Sequence, residues 1–334
     1  MSARLVRQHP VRQHPVRESW PHMLWRWLLE AIALIVAWLV VVSAAAAQQP
    51  QLPQLQNFPQ FNPEKFLDQF FGTGGANDDA KLAKVNVSWD EEQKLGQQTL
   101  DDLKQRLAAK KATIIERGRE VEYLQRLANL IQPQMQQAQR YRKLKVSLAS
   151  LATPDAVALP GGRIFVTQGM LDSASCEASL VGVLGHELSH LDRGHLLRRM
   201  KQWKLAQQQF SQPAAGFSPE RLFSSMGLMQ GLFRRPFGPE EELESDTDGI
   251  TWAYRAGYDP RALTEIYAAF ERNGMNPPDF LPAFLRTHPP SLERRKNLQA
   301  TFQKLQAAEP KPKLYLGREN LTRRLTRTQR EFPE

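Results

Sequence analysis

The sequence predicts an α+β fold, mostly α-helical, with a small β-sheet beside one buried helix. Three observations carry this. Long stretches place apolar residues at helical spacing, as with Val121, Leu124, Leu127, Ala128 and Ile131. Between residues 144 and 167, short segments instead alternate or run apolar, and Pro160-Gly161-Gly162 divides them as a turn divides strands. Directly after them, Ala178, Leu180, Val181, Val183 and Leu184 lead into His186-Glu187-Leu188-Ser189-His190, the text of a helix buried near a site. The chain has 334 residues, 41% hydrophobic and 24% charged, which suffices for a sizeable globular core.

Residues 1–47 read as an N-terminal extension followed by a signal peptide. Val6-Arg-Gln-His-Pro10 repeats at once as Val11-Arg-Gln-His-Pro15, without helical or strand period. From Met23, which could itself be the start, a short basic stretch leads into an apolar run ending in Ser43-Ala-Ala-Ala-Ala47. The 17 apolar residues 31–47 are short for a membrane span, so a cleaved signal and a periplasmic or secreted destination are favoured over an uncleaved anchor. Residues 48–84, rich in Gln, Pro, Gly and Asn with five phenylalanines, read as a linker.

The folded domain is expected over residues 85–308. Ser88-Trp-Asp-Glu91 is a capping box opening a helix to about Lys110. A second helix spans about 118–138, with Pro133 kinking or ending it. Strands follow at 144–148, 156–159 and 163–167, and a helix from about Ser175 past Lys201. Residues 211–238, rich in Met and Phe, suggest a short amphipathic helix over the site. Residues 309–334 read as a basic, solvated tail.

Charge and cysteine content exclude several classes. The net charge is +9, of which residues 1–47 supply five Arg against two Glu, leaving +6 for the rest. That is modest, and no nucleic-acid motif accompanies it. Cys176 is the single cysteine, so no intramolecular disulfide forms; it reads as a small buried residue.

The motif that carries chemistry is H-E-x-x-H. His186 and His190 lie one helical turn apart and can face one metal ion. Zinc in a catalytic site takes three protein ligands and keeps one position open for water, and Glu187 stands where a carboxylate can accept that water's proton. On a continuous helix His195 is nine residues from His186 and falls on the opposite side, so it is expected outside the ligand set. The remaining source is the acidic helix beginning at Pro239. There Glu244 and Asp248 stand four apart, so that one could bind the metal and the other hold a ligand histidine in the right tautomer. Glu240, Glu241 and Glu242 read as a solvated acidic helix start.

These residues resemble the membrane-associated zinc metallopeptidases that include HtpX, the CAAX prenyl endopeptidase and the BepA-like periplasmic proteases, the last most of all. The resemblance rests on Pro160-Gly-Gly-Arg-Ile-Phe-Val-Thr-Gln-Gly-Met170, residues 186–195, Glu244-x-x-x-Asp248, Ala256-Gly-Tyr-Asp-Pro260 and Thr287-His-Pro-Pro-Ser-Leu-Glu-Arg-Arg295, in order over about residues 88–305. It implies a gluzincin-type domain holding one Zn²⁺ through His186, His190 and Glu244. Asp248 would orient a ligand histidine, Glu187 would act as general base, and His288 would stand near the metal. An edge strand next to the site would pair with extended substrate. The implied activity is endopeptidase cleavage of unfolded or misassembled envelope proteins, with peripheral membrane association compatible and nucleic acid not expected. The alternative is a chaperone or adaptor with a latent protease site. Neither the multi-span domains of HtpX nor the helical repeats of BepA-like proteins stand in this sequence.

Overall fold

The computed structural model describes residues 76–210, 237–272 and 292–334. The N-terminal extension, the apolar run and most of the linker lie outside these residues, as do the Met- and Phe-rich segment up to 236 and the loop with His288. Among the described residues, no helix is long and apolar enough to cross a membrane.

Helix α1 (Ala76–Ala83) occupies the end of the stretch read as linker. Helix α2 (Trp89–Ala109) opens with the expected box: Ser88 Oγ accepts from the Glu91 amide at 3.2 Å, and Glu91 Oε2 accepts from the Ser88 amide at 2.8 Å. After a two-residue strand β1 (Ile114–Ile115), helix α3 (Arg119–Ile131) buries Val121, Leu124, Leu127, Ala128 and Ile131. It passes into a 3₁₀ turn at Gln132–Gln134, because Pro133 has no amide to continue the ladder.

Strands β2 (Lys145–Ala149), β3 (Ala156–Leu159) and β4 (Arg163–Thr167) stand within a residue of their expected places. The sheet order is β1-β2-β4-β3, with β2 and β4 parallel and the other pairs antiparallel. β4, the strand that most directly precedes the H-E-x-x-H helix in sequence, is therefore central. The edge facing the site is β3.

A short helix α4 (Gln168–Ser173) leads to α5 (Glu177–Asp192), every residue of which is buried. The single long helix expected here is two. Gly194 adopts φ +76°, a left-handed conformation natural to glycine, and the chain restarts as α6 (His195–Phe210). Helix α7 (Pro239–Arg255) crosses α5 closely. A Cβ on Gly249 would lie 3.0 Å from the His186 backbone nitrogen and 3.1 Å from the Gly182 carbonyl oxygen. Only glycine permits that approach, which brings the first turn of α7 to the histidines of α5. Helices α8 (Arg261–Arg272) and α9 (Leu292–Ala308) pack around the pair.

The C-terminal segment is not a solvated tail. The Gly317 and Leu316 carbonyls accept from the Glu177 and Ala178 amides at 3.2 and 2.9 Å, satisfying donors that the first turn of α5 leaves open. Glu177, fully buried, accepts from the Tyr258 hydroxyl at 2.5 Å and the Arg327 amide at 2.9 Å. Tyr315, Leu321 and Phe332 are buried around helix α10 (Arg318–Arg323), while the arginines between them stay largely at the surface.

Candidate metal centre

Helix α5 sets His186 and His190 one turn apart, both fully buried, with their Nε2 atoms 3.2 Å from each other. Across from them, the first turn of α7 contributes Glu242, also buried. Its Oε2 lies 3.6 Å from His186 Nε2, and its Oε1 lies 3.7 Å from His190 Nε2. Among the described residues this is the group of three whose donor atoms converge on one point. The spacing fits a tetrahedral ion: metal–nitrogen bonds of about 2.0–2.1 Å place neighbouring donors roughly 3.3 Å apart. The donor types, two imidazoles and a carboxylate, are those of a catalytic zinc site.

The far side of each imidazole is engaged. His186 Nδ1 lies 2.9 Å from Asp246 Oδ1, so its N–H donates to a carboxylate and Nε2 keeps a lone pair toward the centre. Buried Arg294 locks both acids. Its Nε donates to Asp246 Oδ2 and its Nη2 to Oδ1, each at 2.7 Å, while Nη1 reaches Glu242 Oε2 at 2.8 Å. Burial pulls the Asp246 carboxyl up, but Arg294 and the His186 ring outweigh it and hold it below its ordinary value. His190 Nδ1 lies 2.9 Å from His195 Nδ1, and Phe237 stacks on the His190 ring with centroids 3.8 Å apart. Burial keeps His195 below the usual imidazole value.

Glu187 is fully buried, and its Oε2 accepts from the Ala158 amide of edge strand β3 at 2.7 Å. Burial pushes its carboxyl up to about 8 against the opposing pull of the His186 ring. A bound divalent cation beside it would favour the ionised form.

The implied Glu244 and Asp248 do not stand at the centre; Glu242 and Asp246 do. Glu244 is half-exposed and bonded to His195 Nε2 at 3.1 Å, and Asp248 accepts from Ser189 Oγ at 2.7 Å and from Arg193 Nε and Nη2 at 2.7 and 2.8 Å. The pair with spacing four is present, but two residues earlier, and two residues rotate a helix by about 200°. A signal for this lies in the sequence. Glu242, Ser245, Asp246, Gly249, Ile250 and Ala253 form one buried stripe at spacings of three and four, from which Glu244 and Asp248 are absent. His195 stays outside the donor group, as expected, and reaches His190 because the helix breaks at Gly194. Arg294, quoted in the sequence only as part of a motif, emerges as the clamp on both acids.

Residues 121–302, 182 of the 334, match Peptidase family M48. The chain belongs to this family. Among M48 relatives, the mitochondrial metalloendopeptidase OMA1 of Arabidopsis thaliana is 32% identical over 151 residues, 43% of this chain and 28% of that protein. OMA1 of Schizosaccharomyces pombe is 29% identical over 147 residues, covering 44% of this chain and 43% of that one. The β-barrel assembly-enhancing protease of Escherichia coli K12 is 28% identical over 154 residues, 40% and 29% of the two chains. The chain thus spans less than half the length of each. The expected kinship with membrane-associated zinc metallopeptidases, BepA-like proteases among them, holds, as does the helical α+β fold with a small sheet.

Proposed function

We propose that this M48 chain is a zinc-dependent endopeptidase in which His186, His190 and Glu242 hold the metal and Glu187 is the general base. The observation that carries it is the convergence of three buried donors on one point, with Glu187 on the next residue of the same helix. Zinc, when bound, supplies a Lewis acid for the scissile carbonyl and acidifies water at neutral pH. Glu187 takes the water's proton on its carboxylate and passes it to the leaving amine. The Ala158 amide holds Glu187 in place from β3, the edge strand among the described residues, and the proposed substrate backbone runs extended alongside that strand. Asp246 keeps His186 in the ligating tautomer, and Arg294 neutralises the acids behind the site.

The substrates we propose are unfolded or misassembled proteins of the bacterial cell envelope. The assembly-enhancing role in the name of the E. coli relative supports this, and the signal-like residues 23–47 support export to the periplasm. Two variants test the reading with an unfolded protein such as casein and with bound zinc measured after dialysis. Glu187→Gln is expected to keep zinc and lose cleavage; Glu242→Ala is expected to lose both. Chelator-sensitive cleavage by Glu187→Gln would refute the assigned base. Full zinc content in Glu242→Ala would remove that residue from the metal.

A further inference from the structure

We infer that His195 and Glu244 position His190 as a metal ligand, forming an orienting arm separate from the Asp246–Arg294 arm that holds His186. The inference rests on the proposed metal set and adds two residues to its support. On an unbroken helix, residues five apart point about 140° away from each other. The left-handed Gly194 removes that constraint, and the His195 ring swings back until the two Nδ1 atoms are 2.9 Å apart, with the rings at 66°. On its other side, His195 Nε2 meets Glu244 Oε2 at 3.1 Å.

The direction of this chain follows from what each group can donate. A carboxylate only accepts, so the hydrogen between His195 and Glu244 sits on His195 Nε2. A neutral imidazole with its hydrogen on Nε2 accepts at Nδ1. The contact between the histidines therefore carries the hydrogen of His190 Nδ1, which leaves the His190 Nε2 lone pair facing His186 Nε2 and Glu242. The opposite tautomer would point an N–H into the donor set and bar a cation from it. Phe237 stacks on the ring at 3.8 Å and limits its tilt, while Arg199 covers Phe237 with its guanidinium carbon 3.8 Å from the ring centroid. His195 is then the group that fixes rotation of the His190 ring about its own bond to the helix.

The two arms differ in kind. The His186 arm is sealed: Asp246 and Arg294 are both buried. The His190 arm ends on Glu244, whose side chain is half-exposed beside Arg193. A side chain that merely filled space between α6 and α7 would be replaceable by any residue of similar volume. One that accepts the His190 hydrogen would not.

Zinc affinity of the full chain, measured by competition with a chromogenic chelator, separates these roles. His195→Leu keeps bulk and removes the acceptor; His195→Asn places Oδ1 close to where Nδ1 stands. The expected result is a loss of about 10–100-fold in zinc affinity for His195→Leu, largely recovered in His195→Asn, with similar melting temperatures for the two metal-free variants. Glu244→Leu, on a half-exposed residue that the fold tolerates more readily, is expected to weaken zinc binding in the same direction by several-fold. Equal affinities in His195→Leu and wild type, or equal losses in His195→Leu and His195→Asn, would overturn the arm while leaving the metal set intact. A wild type that binds zinc no better than Glu242→Ala would refute the metal set itself, and the arm with it.

Discussion

Gly249→Ala probes whether the close crossing of α5 and α7 sets the spacing of the metal donors. The added methyl carbon would stand 3.0 Å from the His186 nitrogen, 3.1 Å from the Gly182 oxygen and 3.4 Å from the His186 Cα. Ordinary contact begins near ~3.5 Å, so the helices must part by about half an ångström. Both neighbours are helix backbone and cannot rotate aside. Overpacking of this kind costs about 1–3 kcal/mol. Alanine returns roughly 0.5–1 kcal/mol through its better helix propensity. The net expectation is a loss of up to about 2.5 kcal/mol, centred near about 1 kcal/mol, or a melting temperature lower by roughly 2–4 °C at that centre for a domain of about 200–250 residues. Glu242 lies two turns before Gly249 on the same face of α7, so the parting also withdraws its carboxylate from the histidines. About 1.4 kcal/mol of that strain felt at the donor set weakens zinc binding tenfold. Differential scanning fluorimetry with and without zinc reads both effects. A variant that melts at or above wild type and binds zinc equally well would show that the crossing has slack and that the glycine contact does not govern the site.

Arg294→Met leaves Glu242 and Asp246 buried without their guanidinium and is expected to destabilise the metal-free protein by about 3–5 kcal/mol, read as a shift in the urea midpoint; a shift worth under ~1 kcal/mol would deny Arg294 that role. Asp246→Asn keeps an acceptor for His186 Nδ1 but removes its charge, and zinc affinity should fall by about tenfold in calorimetry; an unchanged value would contradict the orienting role. In metal-free protein Glu187 imposes a pH dependence. Its folded value of about 8 lies above the ordinary 4.5, so the native state keeps a proton that the unfolded chain releases. Its contribution is full below pH 4.5 and is lost as pH rises through about 8, on the order of a few kcal/mol. With chelator present, Glu187→Gln should therefore gain in melting temperature over wild type between pH 5 and 9; a constant difference across that range would show that Glu187 is not buried in neutral form.

Local signals in the sequence were legible wherever the structure they specify is also local. The Ser88–Glu91 box, the Pro133 terminus, the three strands around Pro160-Gly161-Gly162 and the two histidines of α5 each depend on neighbours within a few positions. β1 has two residues and no alternation to read. The break at Gly194 was hidden because apolar spacing continues through Leu196 and Met200, so nothing in the pattern marks a change of axis. The choice between Glu242 and Glu244 turned on helix phase. A run of acids offers several pairs at spacing four, and only the buried stripe through Gly249 and Ile250 tells which faces inward. The C-terminal segment has the sequence of a solvated tail because Tyr315, Leu321 and Phe332 are sparse among arginines, and because Glu177, which draws the segment in, stands 150 positions before Arg327.

That last contact has a consequence for the order in which the domain is completed. The first turn of α5 has its open amides closed by residues 316 and 317, and the buried Glu177 carboxylate receives its Arg327 partner from the same segment. During synthesis the histidine helix emerges early, but its start stays uncapped and Glu177 lacks that partner until the chain has grown through Arg327. Closing so long a loop is entropically slow relative to forming helices and hairpins. Helix α5 therefore gains its last anchoring bonds only when the C-terminal segment docks, and a chain cut short before residue 316 carries the H-E-x-x-H motif without the segment that secures it.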